Sequence, residues 1–130
     1  MTELAGYVRR TLLPLVNAGT VAWLLHRVTG VALALYLIPH FVSINAARGG
    51  AAALDAELRG FAGPVFAVAE WLLIGAVAFH AFNGLRLIAL DAFDLSGWQK
   101  LLFWGVLLAC AAVFVAASTL FVPRILAPTG

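Results

Sequence analysis

Apolar residues fall in three long blocks, Thr20 to Ile44, Pro64 to Leu90 and Leu101 to Val122, separated by short polar stretches. Each block reaches the roughly 20 residues that a helix needs to cross ~30 Å of hydrocarbon. None has a marked helical period, as expected where lipid and protein both face apolar side chains. The alternation of membrane β-strands, which need only about 10 residues each, is absent. A backbone in hydrocarbon must satisfy its own hydrogen bonds, which leaves helices. The pattern therefore predicts an all-α integral membrane protein with three transmembrane helices, forming a single membrane domain over residues 1–130. The loop from Asn45 to Gly63 carries Asp55, Glu57 and Arg59 and predicts a short surface helix around Ala51 to Leu58. The stretch from Asp91 to Lys100 is short and polar, so the second and third spans form an antiparallel hairpin.

Composition strengthens this reading. The chain is 64% apolar and 11% charged, with a mean hydropathy of +1.03, whereas soluble domains carry roughly a quarter charged residues. The lipid bilayer is the expected partner, and nucleic acid is not. With three spans, Arg9, Arg10, Arg27, Arg86 and Lys100 fall on one side and Arg48, Arg59 and Arg124 on the other. That bias predicts a cytoplasmic N-terminus, for a multi-pass protein expected in the cell inner (cytoplasmic) membrane. The segment 1–19 is then cytoplasmic or interfacial. Its apolar stretch Leu12 to Val16 is short and broken by Pro14, so no cleavable signal is expected. Trp71 and Trp98 sit near span ends, where aromatic rings favour the headgroup region. Cys110 reads as a small packing residue, and Gly30, Gly75, Gly84 and Gly105 permit close helix approach.

Six ionisable residues lie within spans: His26, Arg27, His40, Glu70, His80 and Arg86. Each costs about 2.5–3.5 kcal/mol at mid-membrane on insertion scales, so each asks for a reason. At 1.5 Å per residue, His26 lies ~9 Å from the start of the first span, and His80 ~16 Å from Asp91 at the end of the second. His26, Arg27, Arg86 and Asp91 therefore gather at the cytoplasmic end, His80 lies near mid-membrane, and His40 and Glu70 lie toward the outer end. A histidine at His80's depth is either an axial ligand of haem iron or a hydrogen-bonding partner of a neighbouring helix. Arg27 and Arg86 suit haem propionates or a quinone carbonyl, or snorkel to the headgroups. Asn83, one turn from His80, bridges helices or supports the site. Glu70 reads as a polar interface residue. Pro39 reads as a kink at the end of the first helix.

Two stretches carry a resemblance. Trp23 to Gly30, WLLHRVTG, resembles the LHR-[IV]-[ST]-G motif of the cytochrome b membrane-anchor subunit of succinate dehydrogenase. His80 to Asp91, HAFNGLRLIALD, resembles that family's H-x-x-x-G-x-R-x-x-x-x-D signature. The resemblance extends over the whole three-span layout, with the specific signal concentrated in these two motifs. It implies half of a haem-binding helical bundle, completed by a second membrane-anchor subunit, with iron–sulfur and flavoprotein subunits docked outside the membrane. It implies His80 as a haem b axial ligand, His26 and Arg27 as the pair lining quinone and propionates, Arg86 as a propionate partner, and Asp91 as a structural acid. Trp23 stands where some members carry a quinone-contacting serine, and Leu87 where histidine is frequent after the motif arginine. Trp23 before LHR, together with HAFNGLR from His80 to Arg86, looks more like the actinobacterial and Thermus-type branch than the ubiquinone-reducing enterobacterial one. That implies menaquinone as the quinone and one or two haems, with His40 as the ligand of the second.

The function so implied is that of the anchor of succinate dehydrogenase (respiratory complex II), carrying electrons from the iron–sulfur subunit to quinone while succinate is oxidised on other subunits. The same anchor could serve a fumarate reductase running in reverse. A non-redox membrane scaffold, which would hold no haem, is the remaining alternative.

Overall fold

The computed structural model describes residues 17–126. Among these residues there are four α-helices and no strand: α1 (Ala18–Ala46), α2 (Ala51–Gly60), α3 (Pro64–Ala92) and α4 (Gln99–Leu126). Arg9, Arg10 and the interfacial stretch expected at Leu12 to Val16 lie outside the described residues.

Each expected span falls inside one of three helices of 29, 29 and 28 residues, all long and apolar enough to cross a membrane. The helices outrun the apolar blocks because an apolar block measures the hydrocarbon, whereas helical hydrogen bonding continues to the next cap. A 29-residue helix is ~43 Å long, against ~30 Å of hydrocarbon. At the start of α1, the Asn17 side chain accepts a hydrogen bond from the Thr20 backbone N–H at 2.9 Å, satisfying one orphan donor. Pro64 occupies the first turn of α3, where its missing N–H costs nothing. Between α3 and α4, Asp94 takes φ 49°, a left-handed conformation that aspartate tolerates better than most residues, and the chain reverses into a short 3₁₀ turn, Ser96–Trp98.

The surface helix expected between the first two spans is present as α2. It is tied to α1 by a hydrogen bond from Ser43 Oγ to Glu57 Oε1 at 3.1 Å. Pro39 lies inside α1, seven residues before its end at Ala46.

The α3–α4 hairpin holds most of the core: Ala67, Ala78, Phe79, Phe103, Val106 and Ala117 are buried. Trp71 stacks on Phe114 at 4.5 Å and donates its indole N–H to Ser118 Oγ at 3.1 Å. At the far end, Arg124 and Glu70 form a half-exposed ion pair at 3.5 Å. That pairing gives Glu70 a local partner at the end of the hairpin.

Helix α1 packs on the hairpin through its first half only. Ala22 is buried and His26, Thr29 and Gly30 are partly so, but every residue from Ala34 to Val42 is exposed. His40 stands on that uncovered half.

Candidate functional site

The two motif histidines meet face to face. His26 on α1 and His80 on α3 stack with ring centroids 4.0 Å apart and planes 7° from parallel. The close approach depends on a reciprocal arrangement of glycines. A Cβ at Gly30, on the His26 helix, would lie 3.0 Å from His80 Cε1, and a Cβ at Gly84, on the His80 helix, 3.5 Å from His26 Cε1. Each helix thus offers its bare backbone to the other's imidazole.

Apposition at one level differs from the depths counted along the chain, which set His80 well below His26. The reason is that the helix ends are not flush. The buried Arg86 guanidinium donates from Nη2 to the Gln99 carbonyl at 3.2 Å. The Gln99 side chain in turn closes over Gly19, where an added Cβ would meet Nε2 at 3.1 Å. Gly19, Arg86 and Gln99 therefore mark one layer across three helices. From it, His26 is seven residues along α1 and His80 six residues back along α3, ~10 Å and ~9 Å respectively. Helix α3 overshoots the layer by about another 9 Å, carrying Asp91 beyond it. His40 then lies ~21 Å along α1 from the histidine pair, rather than the ~14 Å below His80 given by flush ends.

Hydrogen bonding makes the two histidines chemically different. His80 Nδ1 is 3.2 Å from the His26 carbonyl oxygen and 3.2 Å from Thr29 Oγ1. A carbonyl only accepts, so Nδ1 carries a proton, and Nε2 makes no hydrogen bond among the described residues. His26 Nδ1, in contrast, is buried without a partner among the described residues. The stacked pair cannot grip one iron from both sides. Imidazole lone pairs lie in the ring plane, so parallel stacked rings point theirs side by side.

The donor set therefore fits one face of a haem: an imidazole whose Nδ1–H is held by a carbonyl, the arrangement that typifies metal-bound histidine. Among the described residues no group of three or more histidine, cysteine or acidic side chains is assembled that could hold a metal ion.

The remaining expected residues separate into two places. Asn83 is fully buried and Arg86 is 4% exposed. Arg86 donates to Asn83 Oδ1 at 3.3 Å and lies over the Phe103 ring. Asn83 Nδ2 and Arg86 Nε have no partner among the described residues. On a helix with 3.6 residues per turn, Arg86 points about 120° away from His80, toward α4 rather than α1. Arg27 is on the surface instead, its guanidinium 4.2 Å from the Trp23 ring centroid. The two arginines expected to gather at one end thus face different surroundings: Arg86 is sealed in the bundle, while Arg27 and Trp23 are exposed beside His26.

His40 Nδ1 is 3.2 Å from the Tyr36 hydroxyl. Because a hydroxyl both donates and accepts, that contact leaves the His40 tautomer open, unlike His80's. Two residues escaped the reading of the sequence. Thr29 sits in the hydroxyl position of the first motif, which was the available signal. Gln99 acts through its backbone carbonyl, which no side-chain pattern marks.

A family model described as the succinate dehydrogenase/fumarate reductase transmembrane subunit matches residues 9–117. Three curated proteins are similar to the chain. The succinate dehydrogenase 2 membrane subunit SdhC of Mycobacterium tuberculosis is 30% identical over 68% of this chain and 65% of its own length. The succinate dehydrogenase hydrophobic membrane anchor subunit of Archaeoglobus fulgidus is 39% identical over 54% of this chain. The protein of the same description from Halobacterium salinarum is 31% identical over 73% of this chain and 78% of its own length. The chain thus spans a little under two thirds of the first of these relatives and 60% of the second.

Proposed function

The chain belongs to the succinate dehydrogenase/fumarate reductase transmembrane subunit family, and from that membership we propose that it is the haem b-binding membrane anchor of a succinate:quinone oxidoreductase. In this reading the N-terminus lies in the cytoplasm. Iron–sulfur and flavoprotein subunits dock on that side, and a second membrane-anchor subunit completes the bundle. The observation that carries the haem reading is His80, with Nδ1–H spent on α1 and Nε2 free. Haem b, when bound, supplies a one-electron relay between the iron–sulfur subunit and quinone.

The chain's own residues then have separable tasks. His80 presents Nε2. His26 walls the imidazole and spaces α1 from α3. Arg86 keeps the helix ends at their level through Asn83 and the Gln99 carbonyl. Arg27, exposed over Trp23, offers N–H donors to a quinone oxygen as negative charge develops there, and Trp23 offers a flat face to the ring. Menaquinone is the quinone this reading favours. The exposed stretch Ala34 to Val42 is where the partner anchor covers α1, and His40 on it serves a second haem. His40→Ala is then expected to lower the haem content of the purified complex from two to one. Unchanged content removes His40 as a ligand.

The anchoring role has its own test. Deleting this chain from cells that keep the other subunits should move succinate–dye reductase activity from the membrane to the soluble fraction. Activity that stays on the membrane overturns the anchor assignment.

A further inference from the structure

We infer that Thr29 is a positioning residue for His80, fixing the tautomer and ring orientation in which Nε2 is presented, and so setting the electron affinity of the site. The inference rests on the haem reading above and extends it to a side chain that does not touch the iron.

Thr29 Oγ1 is 2.8 Å from the Leu25 carbonyl, 3.1 Å from the His26 carbonyl and 3.2 Å from His80 Nδ1. A hydroxyl has one proton. Both carbonyls can only accept, and the shorter contact, to Leu25, takes that proton back onto α1. Toward His80 the oxygen therefore presents a lone pair. The second neighbour of Nδ1, the His26 carbonyl at 3.2 Å, is also an acceptor. Both acceptors hold the proton on Nδ1, and nothing on α1 offers Nδ1 a donor that would reverse the tautomer.

Rotation of the ring is limited by its surroundings. The His26 ring lies 4.0 Å away on one face, and the bare backbone of Gly30 lies against Cε1, so close that a Cβ there would be 3.0 Å from it. Thr29 and Gly30 are consecutive, so one turn of α1 both bonds the imidazole and makes space for it. Threonine suits the position because in a helix its hydroxyl back-bonds to a carbonyl of the preceding turn. That bond locks the oxygen in place as an acceptor.

Acceptors on the distal N–H make an imidazole a more basic ligand and favour the more highly charged ferric ion. Removing one of the two acceptors should weaken that preference. A threefold loss corresponds to an upward shift of about 30 mV in the one-electron midpoint potential, at 59 mV per tenfold.

The test is redox titration of the b-type absorbance in the complete complex, carrying Thr29→Val or Thr29→Ser. The expected result is haem retained in both, the midpoint raised in Thr29→Val, and the wild-type midpoint kept in Thr29→Ser. Where Thr29→Val fails to assemble, Thr29→Ala removes the hydroxyl without adding a methyl and gives the same readout. A wild-type midpoint in the variant without the hydroxyl overturns the inference. So does a Thr29→Ser midpoint displaced as far as that of Thr29→Val, since the hydroxyl would then not be what matters. These outcomes leave the haem reading intact if His80→Ala still loses the band. A wild-type complex with no b-type band removes both.

Discussion

Replacing His80 by alanine should abolish the b-type absorbance of the assembled complex while leaving succinate–dye reductase activity on the membrane. His80 combines three features that neither other histidine has together: it sits between two spans, its Nδ1 is committed to acceptors, and a glycine receives its ring. On the proposed reading, His80 would be this chain's ligand to the haem, and loss of the imidazole would remove that ligand rather than weaken it. Assembly should survive, because α1 still meets the hairpin at Ala22, and α3 and α4 remain joined through Arg86, Gln99 and the Trp71–Ser118 bond. A large-to-small change at a partly buried site costs on the order of 1–3 kcal/mol. His26→Ala is the informative companion. It removes the stacking wall but not the free Nε2, so the band should persist. Loss of the band in both variants alike would point to a collapsed α1–α3 interface rather than a lost ligand.

The second large effect is expected at Arg27. Arg27→Leu should lower succinate:quinone reductase activity by about 10- to 100-fold, with succinate–dye activity unchanged. The magnitude follows from the roughly 1.5–3 kcal/mol carried by a hydrogen bond to a charged group, at 1.36 kcal/mol per tenfold in rate. The separation of the two activities follows from geometry. Arg27 is exposed, held by the Trp23 ring rather than by another helix, so its loss leaves the bundle standing. Arg86 is the contrast. It is buried between helices with bonds to Asn83 and the Gln99 carbonyl, and its removal should disturb assembly and both activities together. Equal loss of both activities in Arg27→Leu would mean that Arg27, too, is structural.

Much of this organisation is legible in the sequence because hydrocarbon imposes a fixed length. The three apolar blocks locate α1, α3 and α4, and the charge of Asp55, Glu57 and Arg59 marks the surface helix between the first two. The two motifs bring out His26, Arg27, His80 and Arg86 as residues that need explaining in lipid. What the chain does not disclose is how its helices are offset and rotated. Counting residues from span ends assumes flush ends, yet α3 overshoots the layer of Gly19, Arg86 and Gln99, and this is what raises His80 to the level of His26. Rotation about α3 then decides that Arg86 is sealed against α4 while His80 faces α1. Periodicity would normally report such a rotation, but it is faint where every face is apolar. Thr29 was hidden for another reason: its hydroxyl has a default partner on its own helix, and only the arrival of His80 from α3 gives the same oxygen a second role.

Whether this chain holds haem b through His80, as proposed, is decided most directly by the haem-to-chain ratio of the purified complex. At least one haem b per copy of the wild-type chain, with the haem bound at this site lost in His80→Ala, is the predicted result. A fully assembled, succinate-oxidising complex that contains no haem, or one whose haem content is untouched by His80→Ala, would contradict it.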